Sequence, residues 1–232
     1  MSLWALADLH LSLGAPKPMD IFGPGWENHT ARMAENWDKA VAPADTVLIP
    51  GDISWAMTLG AAGPDLEWVQ ARPGRKILLR GNHDYWWTSP TQMQSRFPGL
   101  IFLQNTCVPW GEDGAICGSR GWLLPGSREF QSGDQKIYDR ECQRLRLSLS
   151  AARRQGRFPR LVMMHYPPCN ARGDETGFTR LLAEFGVKTV VYGHLHGAAS
   201  HAQGPRGERN GVYYVLAAGD FCGFAPVLLE QA

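Results

Sequence analysis

The sequence predicts a mixed α/β sandwich, and three observations support this fold class. Short apolar segments bounded by Gly, Pro or polar clusters recur along the chain, as is typical of buried strands. Helix-forming segments alternate with them early, whereas the end of the chain is rich in strand-like sequence. With 232 residues, of which 44% are apolar and 19% charged, the chain is expected to form a substantial core. We therefore expect one domain over residues 1–232.

Seven segments are predicted to be strands because each combines a short apolar run with a turn or a polar cluster at its end. They are residues 3–7, 46–50, 76–79, 161–164, 188–192, 212–217 and 226–229. A cluster of Asp, Asn or His follows directly after each of the first five. Since ligands of α/β sheets bind at the carboxyl ends of the strands, we expect these five clusters to converge at one sheet edge.

Five helices are predicted between the strands. The segments 29–41 and 176–185 have helix-like sequence, and Pro64 fits the first position of a helix that continues to Val69. Ser89 and Gln92 have the spacing of a capping box that opens a short helix. Apolar residues at steps of three and four between Tyr138 and Ala152 mark one face of a longer helix.

The polar clusters differ in how specific they are. The pair Asp8 and His10 has a spacing that is common by chance, and a single histidine such as His165 is more often a structural residue. The tetrapeptide 81–84, Gly-Asn-His-Asp, is far more specific, and so is Gly-His-Leu-His at 193–196. The occurrence of all five clusters after predicted strands is what indicates a common site.

The residue types in these clusters indicate a catalytic metal site. Neutral histidine and carboxylate oxygen suit manganese, iron and zinc, whereas structural zinc sites usually recruit cysteine. The five cysteines form no C-x-x-C pair, and we expect them to be buried thiols in a reducing compartment.

These blocks, in this order, resemble the calcineurin-like metallophosphoesterase superfamily. Its pattern is D-x-H, G-D, G-N-H-D, a lone H after a strand, and G-H-x-H, and every block is present between residues 8 and 196. Segments such as Gly51-Asp52-Ile53-Ser54-Trp55-Ala56 are similar to a bacterial branch of predicted phosphohydrolases. The resemblance implies a four-layer α/β/β/α sandwich with two mostly mixed β-sheets.

The resemblance also implies roles for individual residues in a dinuclear metal centre. The expected metal ligands are Asp8, His10, Asp52, Asn82, His165, His194 and His196. Asp8, His10 and His196 would hold the first ion, and Asn82, His165 and His194 the second. Asp52 would bridge them. His83 would act on the substrate as the catalytic side chain, oriented by Asp84.

The implied activity is a metal-dependent phosphoesterase that hydrolyses a phosphomonoester or phosphodiester of a small intracellular substrate. A hydroxide that bridges the two ions would attack phosphorus, since two cations lower the pKa of bound water towards neutrality. The neutral His and Asn ligands would keep the centre cationic, and His83 would donate a proton or stabilise the transition state. Manganese is the expected metal, with iron and zinc as alternatives.

Composition and motif content help to distinguish the phosphoesterase from alternative functions. A nuclease would need a basic groove, and the net charge of +1 argues against a nucleic-acid partner. A catalytically silent metal-binding scaffold would typically lack ligands or the catalytic histidine, and neither is missing here. A lipid-linked pyrophosphate remains open as a substrate. No apolar run approaches the length of a membrane span, and the first residues lack a basic region, so we expect a cytoplasmic protein.

The sequence offers several candidates for the residues that select the substrate. Arg120, Arg128, Lys136 and Arg140 are candidates for contacting a phosphate, although a solvated surface is the simpler interpretation of each. At least one of the aromatic residues 85–87 could border the pocket, and all three could equally belong to the core. The loop that carries Asn170, Arg172 and Asp174 could also border it. We assign no function to His29 or His201.

Overall fold

The computed structural model describes residues 1–231 and contains two β-sheets. The first sheet has the strand order β11-β1-β2-β3-β4. Its strands are β1 (Leu3–Ala5), β2 (Thr46–Ile49), β3 (Arg75–Leu78), β4 (Leu100–Phe102) and β11 (Val227–Glu230). Strands β1 to β4 are parallel, whereas β11 pairs with β1 in the antiparallel direction. The carboxyl ends of β1, β2 and β3 therefore share one edge.

The second sheet has the strand order β5-β6-β7-β8-β10-β9. Its strands are β5 (Val108–Trp110), β6 (Gly114–Ser119), β7 (Phe158–Met164), β8 (Thr189–Tyr192), β9 (Gly207–Arg209) and β10 (Val212–Leu216). The four central strands are parallel, and the edge strands β5 and β9 are antiparallel to their neighbours. Both sheets are thus mixed, as expected.

Helices cover the outer face of each sheet. The α-helices are α1 (His29–Ala40), α2 (Gly63–Ala71), α3 (Pro90–Arg96), α4 (Asp134–Arg154), α5 (Gly177–Phe185) and the short α6 (Gly197–His201). Two 3₁₀ helices, Asp20–Phe22 and Pro24–Trp26, precede α1. No helix within residues 1–231 is long and apolar enough to cross a membrane.

Three apolar clusters define the layers. One cluster joins the first sheet to α1, α2 and α3, for example through Trp37 against Val47 and Leu66. A second joins the other sheet to α4 and α5, where Leu149 and Phe178 are fully buried. The third lies between the sheets and consists mainly of apolar side chains from the strands. The result is the predicted four-layer α/β/β/α sandwich.

Helix α5 begins with a reciprocal cap that the sequence pattern does not reveal. The Thr176 hydroxyl accepts a hydrogen bond from the backbone N–H of Thr179, and the backbone N–H of Thr176 donates to the Thr179 hydroxyl. At α3, by contrast, Ser89 accepts from the backbone N–H of Gln92. The Gln92 side chain makes no reciprocal bond within the described chain, so the predicted capping box is only half formed.

Strands β4, β5, β6 and β9 were not among the predicted strands. Three of them are only three residues long, which is too short for a periodic signal. Strand β6 is fully buried but consists largely of Gly, Ala, Cys and Ser, which are weak strand formers. Position 118 requires glycine because a Cβ there would lie 2.6 Å from the carbonyl oxygen of Met163.

Two leucines of α4 provide a matched test of this packing. Leu149 is 0% exposed in the core beneath the second sheet, whereas Leu147, two residues earlier, is 48% exposed. Leu149→Ala is expected to lower the free energy of unfolding by about 2–5 kcal/mol because it leaves a cavity. Leu147→Ala should change it by about 0.5 kcal/mol or less. Urea unfolding monitored by circular dichroism distinguishes the two variants. Equal effects on the free energy of unfolding would contradict the packing described.

Candidate metal centre

The five polar clusters meet where the carboxyl edges of the two sheets face each other. Backbone hydrogen bonds fix the loops relative to one another: the N–H of Asp8 donates to Gly51 O at 3.0 Å, and that of His10 donates to Asp52 O at 3.0 Å. In the second sheet, the N–H of Gly193 donates to His165 O at 3.1 Å. Between the sheets, the N–H of Ala7 donates to Ala217 O at 2.8 Å, so the strand-end loops of both sheets are joined in one platform.

Two buried carboxylates occupy the centre of this platform. Asp8 and Asp52 are 0% and 1% exposed. Both oxygens of Asp8 accept from the backbone N–H of His194, at 3.1 and 2.9 Å. Asp52 Oδ1 accepts from the backbone N–H of His83 at 2.8 Å. The Oδ2 atom of Asp52 points between His10 Nε2 at 3.8 Å and His165 Nε2 at 3.5 Å.

Histidine nitrogens surround these carboxylates. His10 Nε2 lies 3.3 Å from His196 Nε2, and His196 Nε2 lies 3.9 Å from Asp8 Oδ1. On the other side, His194 Nδ1 lies 3.3 Å from His165 Nε2. Two sets of donor atoms, one from Asp8, His10 and His196 and one from Asp8, Asp52 and His165, each lie within 4.8 Å of one another. Such groups can hold metal ions.

The His165 ring shows why the residues fit a cation. Its Nδ1 donates to Pro50 O at 3.0 Å, which leaves Nε2 with a lone pair. That Nε2 lies 2.7 Å from Asn82 Oδ1, which is also an acceptor. Burial lowers the pKa of His165 to about 3, so a proton does not fill the gap. A metal ion that both atoms bind would satisfy this arrangement.

Burial has opposite consequences for the acidic and basic members of the site. It raises the pKa of Asp8 and of Asp52, because water is excluded from both carboxylates. It lowers the pKa of His10 and of His194. Neutral imidazoles cannot compensate two buried carboxylates, whereas divalent cations can, and neutral imidazole is also the form that binds metal.

The backbone is strained at four of the predicted ligands. Asp8, His10, Asp52 and His194 have φ angles of 58°, 43°, 51° and 72°. Residues other than glycine seldom adopt this left-handed region, and strain of this kind is concentrated at functional sites. The loops therefore adopt conformations that place ligands rather than those of lowest local energy.

Steric constraints explain why the motifs contain glycine. A Cβ at Gly81 would collide with Asp52 Oδ1, and one at Gly193 would collide with Asp8 Oδ2. At Gly51, which has φ of 92°, a Cβ would lie 2.7 Å from Gly81 Cα and 2.8 Å from His165 Nδ1. Each glycine thus leaves room for a ligand that comes from a different loop.

His83 lies at the mouth of the site. Its side chain is 36% exposed, its Nε2 lies 3.9 Å from Asp52 Oδ2, and its ring centroid is 4.4 Å from that of Trp55. Burial lowers the pKa of His83, although the charge of Asp52 opposes this. Its ring borders both the ligands and the cavity, and unlike the similarly exposed ring of His196 it is not among the proposed ligands.

Asp84 does not orient His83 as expected. Its Oδ1 accepts from the backbone N–H groups of Ile53 and Ser54 and from Trp86 Nε1, and its Oδ2 accepts from the N–H of Gly81. Within residues 1–231, no hydrogen bond joins it to the His83 ring. Burial and the charge of Asp52 raise the pKa of Asp84 to about 7. Its contacts join the Asp52 loop to the Asn82 loop.

Asp220 belongs to the site although it was not predicted. Its Oδ1 accepts from His196 Nδ1 at 3.0 Å, and its Oδ2 accepts from the N–H of Gly197 at 2.9 Å and lies 3.2 Å from His201 Nε2. Burial lowers the pKa of His196, but the hydrogen bond to Asp220 and the charge of Asp8 outweigh it and raise the pKa to about 9. The signal was available, because Gly219-Asp220 follows the strand β10 as Gly51-Asp52 follows β2.

A cavity of about 670 Å³ opens beside the proposed ligands His10 and His196. His10, His83, His196 and Asp220 line its floor, and Phe22, Trp26 and Trp55 form its aromatic wall. Lys17 Nζ lies 3.2 Å from the centroid of the Trp55 ring. A cationic group therefore stands beside His83 at the rim, and it was not identified from the sequence.

Of the other candidates from the sequence, Asn170 lines a neighbouring cavity together with His194, and the rest lie elsewhere. Arg128, Lys136 and Arg140 are exposed, and Arg172 forms a local exposed pair with Asp174 at 2.7 Å. Trp86 and Trp87 belong to the core, which leaves Tyr85 as the exposed member of that aromatic run. Arg120 is largely buried. His29 packs beneath the site, with Nε2 3.3 Å from His10 O.

Comparison with known proteins identifies the family. The calcineurin-like phosphoesterase family matches residues 1–198, and the chain therefore belongs to it. The gene 66 protein of Mycobacterium phage L5 is 43% identical over 83 residues, which are 35% of this chain and 39% of that protein. The match thus spans less than half of this relative.

Solved structures share the fold at low sequence identity. The phosphopantetheinyl hydrolase from Mycobacterium tuberculosis superimposes with a TM-score of 0.57 at 15% identity, over 100% of this chain and 96% of its own. The protein TT1561 of Thermus thermophilus has a TM-score of 0.59 at 10% identity, over 98% and 97% of the two chains. The predicted family and fold class are confirmed.

The contact between Asp220 and His196 can be tested through metal affinity. Asp220→Asn keeps the shape of the side chain but removes the charge that orients and polarises the His196 ring. We expect the affinity for one of the two ions to fall by about 10–100-fold. Metal titration followed by elemental analysis measures this change. Asp113→Asn, at an exposed carboxylate, is the control, and equal affinities for the two variants would contradict the role given to Asp220.

Proposed function

We propose that the protein is a dinuclear-metal phosphoesterase for a small phosphomonoester or phosphodiester, built as one domain over residues 1–232. The observation that carries this proposal is the convergence of Asp, Asn and His donors from both sheets, beside a cavity of about 670 Å³ that is lined by His10, His83 and His196. This donor set has no thiolate, which favours a catalytic site over a structural zinc site.

The geometry supports two ions with a shared carboxylate. Asp8, His10 and His196 would hold one ion, and Asn82, His165 and His194 the other. Asp52 is the proposed bridge, because its Oδ2 lies 3.8 Å from His10 Nε2 and 3.5 Å from His165 Nε2, on the two sides of the centre. Manganese is the proposed metal, with iron and zinc as alternatives accepted by the same donor types.

When bound, two such ions supply a hydroxide nucleophile at neutral pH and stabilise charge on the phosphoryl oxygens. The chain itself supplies the remaining parts. His83 is the proposed catalytic residue, since its ring borders both the ligands and the cavity and can give a proton to the leaving oxygen. Asp84 is a positioning residue that holds the loops of Asp52 and Asn82 together.

The cavity supports a small substrate rather than nucleic acid. Its aromatic wall of Phe22, Trp26 and Trp55 can contact an apolar or planar group next to the scissile phosphate. The volume is in the range of small-molecule sites. The net charge of +1 supplies no general attraction for a polyanion. Presence of every expected donor and of His83 argues against a catalytically silent scaffold.

Metal removal tests the activity itself. Protein treated with a chelator and dialysed should lose hydrolysis of p-nitrophenyl phosphate and bis(p-nitrophenyl) phosphate, because the nucleophile depends on the ions. Addition of Mn²⁺ should restore it. Absorbance of released p-nitrophenol measures the rate. Failure to hydrolyse either compound, or any of a panel of phosphoesters, with Mn²⁺, Fe²⁺ or Zn²⁺ would contradict the proposed function.

His83→Ala separates catalysis from metal binding. We expect turnover to fall by about 10²–10⁴-fold because the general acid is lost. The ions should remain, since His83 is not among the proposed ligands. Parallel measurement of kcat and of metal content by elemental analysis gives both quantities. Loss of metal from this variant would show that His83 is a ligand and would overturn its assignment.

Asp52→Ala tests the bridge. Removal of a carboxylate that both ions share should lower the occupancy of both, whereas Asn82→Ala should affect mainly one. Elemental analysis after dialysis against limiting Mn²⁺ gives the number of ions per chain. If the Asp52 variant keeps two ions per chain, or loses only one, the bridging role is wrong.

A further inference from the structure

A second, smaller cavity lies beside the metal centre, on the side of β3, β4 and β6. Its volume is about 100 Å³, which is several times the roughly 10–15 Å³ that one water molecule needs. Its wall combines the ends of those three strands with one face of α4. The polar side chains that line it include Arg80, Thr88, Arg120, Glu141 and Arg144.

The charges around this cavity do not balance. Glu141 is fully buried and accepts from Arg144 at 2.8 Å, from Arg120 at 3.4 Å and from the Ser119 hydroxyl at 3.1 Å. It is the one carboxylate in the lining. Arg80 is half-buried and forms no hydrogen bond or ion pair with a side chain or backbone group within residues 1–231. Three guanidinium groups therefore face one carboxylate, which leaves a positive excess.

Unpaired buried polar atoms point to the same cavity. Six buried side-chain N or O atoms of the described chain lack a hydrogen-bond partner. Three of the six, Arg80 Nε, Arg120 Nε and Thr88 Oγ1, belong to residues that line this cavity. A buried donor without a partner is costly, and the cost is greater when the donor is charged. A ligand with several acceptor oxygens would satisfy all three.

We propose that this cavity is a binding site for a tetrahedral oxyanion of the phosphate class. Guanidinium groups recognise such an oxyanion through paired charge-assisted hydrogen bonds, and the Thr88 hydroxyl adds a neutral donor. The cavity is too small for a nucleoside but accommodates one phosphoryl group. Glu141 fixes Arg120 and Arg144 in place, and Arg80 provides the charge that remains to be paired.

The chain connects this oxyanion site to the metal centre. Arg80 immediately precedes Gly81-Asn82, and the carbonyl oxygen of Arg120 accepts from the backbone N–H groups of His165 and Tyr166, at 3.1 and 2.9 Å. Either a second phosphoryl group of the substrate or free inorganic phosphate could supply the oxyanion. The first source rests on the proposed function, whereas the second does not require catalysis.

Calorimetric titration of the metal-loaded protein with inorganic phosphate tests the oxyanion site. Wild type should bind two phosphates per chain, one at the metal centre and one in this cavity. Arg80→Gln and the isosteric Thr88→Val should weaken the second site about tenfold or more. Neither change leaves a carboxylate unpaired, so the fold should persist. Arg140→Gln, on the exposed face of α4, is the control and should bind two phosphates.

Kinetics with two substrates distinguish the sources. If the oxyanion is part of the substrate, both variants should raise KM for an aryl diphosphate about tenfold and leave KM for p-nitrophenyl phosphate unchanged. If it is free phosphate, neither KM should change while the binding stoichiometry still falls. Phosphate binding that neither Arg80→Gln nor Thr88→Val weakens would overturn the proposal, whatever the total number of phosphates bound. Absence of turnover would contradict the proposed function alone, since the titration does not depend on it.

Discussion

The structure is organised around two carboxylates that are buried close together. Asp8 and Asp52 lie where the edges of the two sheets meet, and three of the surrounding histidines, His10, His165 and His194, have pKa values that burial lowers. Two like charges in a medium of low polarity repel each other, and either protonation of one carboxyl or a shared cation relieves this repulsion. The arrangement of loops, glycines and strained backbone around this pair follows from that requirement.

The sandwich architecture supplies the rigidity that such a centre needs. Strand ends from both sheets carry the ligands, and the layer of apolar side chains between the sheets fixes the distance between the edges. The left-handed conformations of Asp8, His10, Asp52 and His194 are tolerated because the neighbouring strands hold the loops on both sides. Precision at the site is thus produced by packing far from it. The arginine-lined cavity uses the same edge, displaced towards β4 and β6.

Much of the centre was predictable because its parts are local in sequence. The motif Gly51-Asp52 after a strand can be recognised from the local sequence alone. The same is true of the tetrapeptide that contains Asn82 and His83. Asp220 obeys the same rule after β10 but stands alone in sequence, without a second polar residue to draw attention. The interaction of Asp84 was mispredicted for a different reason. Adjacency in sequence suggested a contact with His83, whereas the turn directs the carboxylate to backbone groups of the Asp52 loop.

The sequence by itself determined the mixed α/β class through the alternation of strands and helices, and the set of donor types through short motifs. The resemblance of those motifs to a known family also implied the family and its α/β/β/α layering. Tertiary structure alone decided which side chains complete the site. Asp220 joins His196, Trp26 and Trp55 wall the cavity, and Arg80 joins Arg120 and Arg144. These groups come from segments distant in sequence, and only the packing of the two sheets sets their separations and excludes water from between them. The positive excess around the arginine-lined cavity is therefore a result of that packing.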